Sequence, residues 1–151
     1  MKIKSTAFPE GGMIPKIHTC DSKDISPPLQ WSDVPDATAS FALICDDPDA
    51  PAGTWVHWVI YNIPKDAREL KQDVPKRETL KDGTIQGKND FGRIGYGGPC
   101  PPHGRPHRYF FKLYALDIQL HAPAGITKQE LLRLMEGHII ATAETYGKYG
   151  R

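Results

Sequence analysis

The sequence lacks any uninterrupted apolar run approaching the roughly 18 residues that a membrane-spanning helix needs. Its first five residues carry two lysines and lead into no apolar segment of the kind found in a secretory signal. We therefore expect no signal peptide, no integral membrane association and a location in the cytoplasm.

Cysteine is scarce. The three cysteines, Cys20, Cys45 and Cys100, are an odd number without a C-x-x-C spacing, which speaks against a disulfide framework and against a thiolate zinc site. A chain of 151 residues can bury roughly 68–70% of its unfolded surface in one core. We predict a single domain over residues 1–151 that needs no disulfide.

The short motifs of several enzyme classes are absent as well, since there is no G-x-S-x-G turn, P-loop or G-x-G-x-x-G loop. The net charge is +1, yet acids predominate in residues 21–49 and bases in residues 88–112. Either these segments neutralise each other at the surface, or the second one attracts an anion. No basic stripe with interleaved aromatics is present, so we expect no nucleic-acid partner.

Strand patterns dominate what is present. Residues 40–45, 57–63 and 107–116 are apolar or alternating segments typical of strands. A period of two predicts two rows of side chains, each headed by a histidine: His57, Val59, Tyr61 and Ile63, and His107, Tyr109, Phe111 and Leu113. Each histidine is thus expected at the edge of a core.

The remaining segments contain one clear helix signal. Thr127 and Glu130 form a capping-box pattern, and the apolar spacing that follows predicts a helix continuing to a stop near Gly147. Residues 65–88 are predicted to form a long solvated connection with one helical turn around residues 67–70. Strands first and a helix last favour a mostly β, α+β domain.

Two proline-rich strings, residues 47–51 and 98–104, each precede one of the histidine-headed strands. Prolines fix the backbone, so these strings predict stiff loops that hold a small polar pocket between distant parts of the chain. Asp47 and Asp49 are interpreted either as turn residues bonded to local amides, or as side chains of which one orients a histidine or meets a cationic ligand group.

The second string contains residue types used in three kinds of chemistry: metal binding, nucleophilic catalysis and anion binding. His103 and His107 have an H-x-x-x-H spacing, but the surrounding prolines and glycine prevent the helix that would align them on a metal, and we expect no metal or cofactor. Cys100 lacks an evident orienting partner for nucleophilic catalysis.

Anion capture remains, with His57, His107 and Tyr109 as donors and the amides of nearby glycines (Gly95, Gly97, Gly98) in support. Arg108, on the opposite strand face, is predicted to pair with a loop carboxylate.

At these motifs the chain resembles the phosphatidylethanolamine-binding protein family, also called Raf kinase inhibitor proteins. The D-P-D-x-P and H-W signature matches residues 47–51 and 57–58, and the G-x-x-P-P-x-G and H-R-Y signature matches residues 98–104 and 107–109. The resemblance implies an antiparallel β-sandwich with a C-terminal helix and peripheral short helices.

The resemblance also implies a pocket for phosphate, sulfate, carboxylate or a phosphoethanolamine head group. The ligand-binding residues it implies are Asp47, Pro48, Pro51, His57, Gly98, Pro99, His107 and Tyr109. It further implies a cis Ala50–Pro51 peptide and, as in prokaryotic relatives, a homodimer.

The function expected from these features is non-enzymatic binding of a small anion. Two alternatives stay open: inhibition of a protease or kinase through the 65–88 connection, and hydrolysis using His57 and His107. The Arg105–Pro106 pair beside the pocket departs from the family pattern. The resemblance leaves open whether Tyr146 or Tyr149 closes the pocket.

Overall fold

The computed structural model describes residues 1–151 and contains two antiparallel β-sheets with a single α-helix. The strands are β1 (Lys2–Lys4), β2 (Leu29–Ser32), β3 (Ser40–Asp47), β4 (Trp55–Pro64), β5 (Glu69–Leu70), β6 (Ile85–Gln86), β7 (His107–Leu116) and β8 (Ile139–Tyr149). The helices are a 3-10 turn (Lys16–His18) and α1 (Lys128–Met135). The predicted mostly β fold is confirmed.

The larger sheet has the order β6-β4-β3-β7-β8, and the smaller one has the order β1-β2-β5. β3 lies at the centre of the larger sheet and is buried along its whole length. Phe41 and Leu43 belong to the core between the two sheets, whereas Ala42 and Ile44 belong to the core beneath α1. Because both faces of β3 are covered, its sequence is continuously apolar from Phe41 to Cys45 rather than alternating.

β7 follows the predicted period of two. His107, Tyr109, Phe111 and Leu113 are buried, and Arg108 between the first two is exposed. The row therefore reaches from the core between the sheets to its edge, where His107 begins the strand.

β4 does not follow the predicted period. Its pairing with β3 shifts between Asp46–Val56 and Cys45–Trp58, so that His57 is an extra residue in β4. A second shift precedes Ile63, which packs between the sheets while Val59 and Tyr61 pack beneath α1. The common face predicted for His57, Val59, Tyr61 and Ile63 is wrong, because β-bulges re-aim the side chains that follow them.

The C-terminal helix begins as predicted but is much shorter. Thr127 and Glu130 form the reciprocal capping box, and the helix ends at Met135. Gly137 has a φ of +80°, and the chain then enters β8, which pairs antiparallel with β7. The helix predicted to reach Gly147 is wrong, because β-branched residues at 139, 140, 142 and 145 favour a strand wherever a partner edge is free.

The connection over residues 65–88 is also more ordered than predicted. No helical turn forms at residues 67–70, because Glu69 and Leu70 pair with β2 as β5. Gln86 of β6 is fully buried, accepts a hydrogen bond from Trp58 Nε1 at 2.8 Å and donates to the carbonyls of Pro75 and Arg77. This segment is therefore anchored to the larger sheet.

Two predictions about covalent geometry are wrong. Cys20 and Cys100 form a disulfide across 80 residues of sequence, and only Cys45, which is buried, is free. The fold brings the two loops together, with the Cys20 amide donating to the Pro99 carbonyl, and no sequence spacing indicates such a pairing. The Ala50–Pro51 peptide is trans, as are all others. None of the helices has the length and apolar character that crossing a membrane would require.

Candidate functional site

The two proline-rich strings face each other across a cavity of about 350 Å³, within the size range of small-molecule sites. Its floor is formed by the ends of β3, β4 and β7. The lining residues are Asp47, Ala50, Pro51, Ala52, Trp55, His57, Phe91, Cys100, Pro101, Pro102, His107 and Tyr109. Of the predicted ligand-binding residues, the structure brings together Asp47, Pro51, His57, His107 and Tyr109.

Asp47 and His107 form a buried pair at the base of the cavity. Asp47 Oδ2 lies 2.7 Å from His107 Nδ1, and the two residues are 3% and 9% exposed. The other carboxylate oxygen of Asp47 accepts from the Asp49 amide at 2.7 Å. Both oxygens are thus occupied, which favours orientation of a histidine over contact with a ligand cation. Because a carboxylate only accepts, Nδ1 of His107 carries the proton and Nε2 is left for a ligand.

His57 is oriented in the same manner by a backbone group. Its Nδ1 lies 2.6 Å from the Gly97 carbonyl, so Nδ1 carries the proton. Burial lowers the pKa of His57 below 6.5, although the bond to Gly97 opposes the shift. In the neutral form, Nε2 of His57 therefore accepts a hydrogen bond, and it becomes a donor to an anion only when the ring is protonated.

Tyr109 connects the two histidines. Its ring lies edge-on to His57, with centroids 5.1 Å apart, and roughly parallel to His107 at 6.5 Å. Burial raises the pKa of Tyr109, and the nearby Asp47 carboxylate adds to the effect. The phenol therefore keeps its proton. Unlike the hydroxyls of Tyr61, Tyr96 and Tyr149, its hydroxyl has no protein partner, and it is available as a donor in the cavity.

The first proline string is held by an ion pair outside the cavity. Arg108 donates through Nε and Nη2 to the two carboxylate oxygens of Asp49, each at 2.9 Å, and its amide also donates to Asp49. These contacts hold the pKa of Asp49 at about 2. The predicted pairing of Arg108 with a loop carboxylate is confirmed. Pro51 reaches the cavity, whereas Pro48 is absent from its lining.

The second proline string contributes different residues from those predicted. Cys100, Pro101 and Pro102 line the cavity, but Gly98 and Pro99 lie behind them. The Gly98 amide donates to Asp24, and the Pro99 carbonyl accepts from Cys20.

The amides of the nearby glycines also donate hydrogen bonds within the fold. The Gly97 amide donates to the His57 carbonyl, and the Gly95 amide to that of Gly87. A Cβ on Gly98 would lie 2.3 Å from the His18 carbonyl, so this position requires glycine for close packing. The predicted use of these amides to bind an anion is therefore wrong.

Trp55 and Phe91 are aromatic wall residues that the sequence did not reveal. Phe91 lies edge-on to both Trp55 and His57, with centroids 5.5 and 5.4 Å away. Asn89 builds the turn that places it, because its side chain accepts from the Phe91 and Arg93 amides and donates to the Gly95 carbonyl. The Asn-Asp-Phe-Gly sequence was the available signal for this turn.

The C-terminal strand braces the cavity from outside. Tyr149 donates to Asp21, and Arg151 contacts both Asp21 and the Pro101 carbonyl. Tyr146 stacks on Phe110, so neither tyrosine lines the cavity. No group of three or more His, Cys, Asp or Glu side chains is arranged to hold a metal ion.

Comparison with known proteins identifies related chains along the full length. A family model described as phosphatidylethanolamine-binding protein matches residues 4–150. A UPF0098 protein of Methanothermobacter thermautotrophicus is 52% identical over 151 residues, with 100% of this chain and 99% of the relative covered. A UPF0098 protein of Aquifex aeolicus is also 52% identical, with 100% and 89% covered.

Two crystal structures are similar to this one. A phosphatidylethanolamine-binding protein homolog from Chlamydia trachomatis has a TM-score of 0.91 and 43% identity, with 99% of this chain and 97% of the other covered. Escherichia coli YbcL, described as a member of the mammalian PEBP family, has a TM-score of 0.92 and 36% identity, with 99% and 98% covered.

Proposed function

This chain belongs to the phosphatidylethanolamine-binding protein family, and we propose that its pocket binds a small anion without catalysing a reaction on it. The anion is a phosphate, sulfate or carboxylate group, free or as part of a phosphoethanolamine-like head group. The observation that carries this proposal is the convergence of His57, His107 and Tyr109 on one cavity, each with one polar atom that has no protein partner.

The proposed binding is coupled to a proton. Nδ1 of each histidine is already committed, so each Nε2 donates to an anion only when its ring is protonated. The Asp47 carboxylate compensates the positive charge of a protonated His107, and Tyr109 supplies a neutral donor. A phosphate ester in its hydrogen phosphate form carries the proton itself and can donate a hydrogen bond through it to a neutral Nε2.

Histidine ring NMR signals test the proposal directly. Titration with inorganic phosphate, sulfate or phosphoethanolamine should move the ring signals of His57 and His107, while those of the exposed His103 stay in place. Unmoved signals from the two pocket histidines at millimolar ligand would contradict anion binding.

Hydrolysis stays a second proposal because of one specific contact. A carboxylate that holds the Nδ1 proton of a histidine is also the arrangement that prepares Nε2 as a general base. A screen of phosphoester and carboxyl ester substrates tests it. Turnover that is lost in the variant His107→Gln would replace the binding role with an enzymatic one.

Inhibition of a protease or kinase also stays a proposal, but the structure changes how it is tested. Residues 65–88 include β5 and β6 and the buried Gln86, so deleting the segment would disturb the sheets. Substituting its exposed side chains Arg77, Glu78 and Lys81 tests the surface alone. Inhibition lost in that variant, with anion binding intact, would support a protein target.

We also propose that the protein is located in the cytoplasm and that it forms a homodimer. The Cys20–Cys100 disulfide bears on the first, because disulfides persist chiefly in oxidising compartments, with intracellular proteins of hyperthermophiles as an exception. Cell fractionation with thiol trapping tests it. Light scattering coupled to size exclusion tests the homodimer, and a mass of 16.8 kDa would indicate a monomer.

A further inference from the structure

A second cavity, of about 590 Å³, lies directly outside His107. We name it the outer groove, and it is lined by Asp49, Arg105, Pro106, His107, Arg108 and Lys148. His107 also lines the pocket described above, so the two spaces share this residue. Three of the six lining residues are permanent cations and one is an acid.

The first indication of a ligand is a pair of like charges. Arg108 and Lys148 are directly opposite each other on β7 and β8. Directly opposed residues of an antiparallel pair lie on one face with Cβ atoms about 4.5–5.5 Å apart, and like charges there are destabilising. The next two pairs along this face are favourable, namely Phe110 stacked on Tyr146 and Lys112 opposite Glu144. The unfavourable pair therefore occurs only where the groove lies.

The second indication is that the Arg108 guanidinium is held in place with donors to spare. Asp49 takes one N–H from Nε and one from Nη2, and Phe110 lies beneath the guanidinium with its ring centroid 5.4 Å away. Since guanidinium has five N–H groups, three remain without a protein partner. A donor fixed in this way loses little entropy when it binds an anion.

The third indication is uncompensated charge. Asp49 neutralises Arg108, but neither Arg105 nor Lys148 has a carboxylate within 4.0 Å. Lys148 is fixed at its backbone by bonds to Gly12 and Ile14 in addition to its pairing with β7. The groove thus carries two net positive charges beside the pocket in which we propose an anion.

We propose that the outer groove is a second anion subsite, and that the ligand of this protein is a small molecule with two anionic groups. One group occupies the pocket at His57, His107 and Tyr109, and the other is bound by Arg105, Arg108 and Lys148. This inference rests on the proposed anion binding of the pocket and adds the class of ligand to it.

Alkyl phosphates test the inference in matched pairs. The affinity of the native protein for propyl, butyl and hexyl phosphate is compared with that for the corresponding α,ω-bisphosphates by calorimetry at constant ionic strength. At least one bisphosphate should bind about tenfold tighter or more, because its second phosphate gains charge-assisted hydrogen bonds. In the double variant Arg105→Gln, Lys148→Gln this advantage, measured as the ratio of the two affinities, should fall to about the twofold expected from two equivalent ends.

A matched control removes the same charges elsewhere. Arg77 and Lys81 are both exposed and lie near another part of the surface, so Arg77→Gln, Lys81→Gln should keep the full bisphosphate advantage. An equal loss in this control would overturn the subsite in favour of general charge attraction. Thermal unfolding of both variants establishes that each is folded.

The two proposals fail in distinguishable ways. If the native protein binds alkyl phosphates but prefers no bisphosphate, the outer subsite is overturned and the anion pocket stands. If the His57 and His107 ring signals respond to no phosphate at all, the pocket proposal is overturned, and the ligand class inferred from it is overturned as well.

Discussion

Asp47 and His107 lie 60 residues apart in sequence, yet Asp47 Oδ2 and His107 Nδ1 are 2.7 Å apart at the base of the pocket. The contact forms because β3 and β7 are neighbours in the sheet: β3 ends at Asp47 and β7 begins at His107. A single strand pairing thus brings one proline-rich string to the other. The contact with Asp47 also determines that Nε2 of His107 is the nitrogen left for a ligand.

Replacement of Asp47 by Asn should weaken anion binding. The variant removes the charge that compensates a protonated His107 and leaves the volume of the side chain unchanged. Because hydrogen bonds to charged groups contribute about 1.5–3 kcal/mol, we expect sulfate affinity to fall about tenfold or more. Calorimetric titration measures the change. The variant Asp36→Asn, at an exposed position, should bind as the native protein does.

The pH dependence of sulfate binding separates protonated histidines from other donors. Sulfate keeps its charge between about pH 5 and pH 8, so changes in its affinity report on the protein. The pKa of His57 is lowered in the free protein, and an anion at Nε2 favours the protonated ring. Binding therefore takes up a proton, and affinity should fall as pH rises, by at most tenfold per pH unit for each proton taken up.

The contrary outcome is equally specific. An affinity for sulfate that stays constant over that pH range would show that neither histidine donates to the anion. Calorimetry in buffers of different ionisation enthalpy gives the number of protons taken up, and this number should approach zero in the variant His57→Gln, His107→Gln.

The sequence predicts strands well where side chains alternate or where both faces are covered. β3 and β7 are of these kinds, and β7 keeps the alternation from His107 to Leu113. β4 and β8 show the limit. The two bulges of β4 arise from pairing with β3, and no local pattern indicates them. The β-branched residues of β8 do favour a strand, but the same segment also has helical spacing, and the edge offered by β7 decides between the two.

The residues that line the pocket could likewise be predicted only in part from the sequence. The motif residues Asp47, His57, His107 and Tyr109 meet in one cavity. Gly98 and Pro99 belong to the same motifs but support the wall from behind, where their backbone groups bond to other loops. The sequence reveals which residue types a segment contains, whereas the side of a loop that faces the cavity depends on tertiary contacts.

Acidic conditions should destabilise the fold through His57. Burial lowers its pKa in the folded state below the unfolded value of 6.5, so the unfolded chain binds the proton more readily. The contribution of His57 to the free energy of unfolding is therefore fully present above about pH 6.5. It falls as pH decreases from there toward the folded pKa, by at most about 1.4 kcal/mol per pH unit for one histidine. Urea unfolding without added anions measures it. Burial also lowers the pKa of His18, which contributes in the same direction. His57→Asn should therefore reduce this dependence and leave the part due to His18, while His103→Asn at the surface should leave it unchanged.

Removal of the disulfide should affect both stability and binding. Cys20 and Cys100 close a loop with a sequence separation of 80 residues, and cross-links of this kind typically contribute about 2–4 kcal/mol. We expect the variant Cys20→Ser, Cys100→Ser to lose that amount in urea unfolding. Cys100 also lines the pocket beside Pro101 and Pro102, so the freed wall should weaken sulfate binding several-fold.

Cys45→Ala serves as the comparison for this variant. It removes a buried thiol in β3 that takes no part in the disulfide, and Cys45 is absent from the pocket lining. It should therefore lower stability through lost packing and leave sulfate affinity unchanged. If the double serine variant binds sulfate as tightly as Cys45→Ala does, the disulfide stabilises the fold without shaping the pocket. The wall is then held by its other contacts, such as those of Gly98 with Asp24 and of Arg151 with the Pro101 carbonyl.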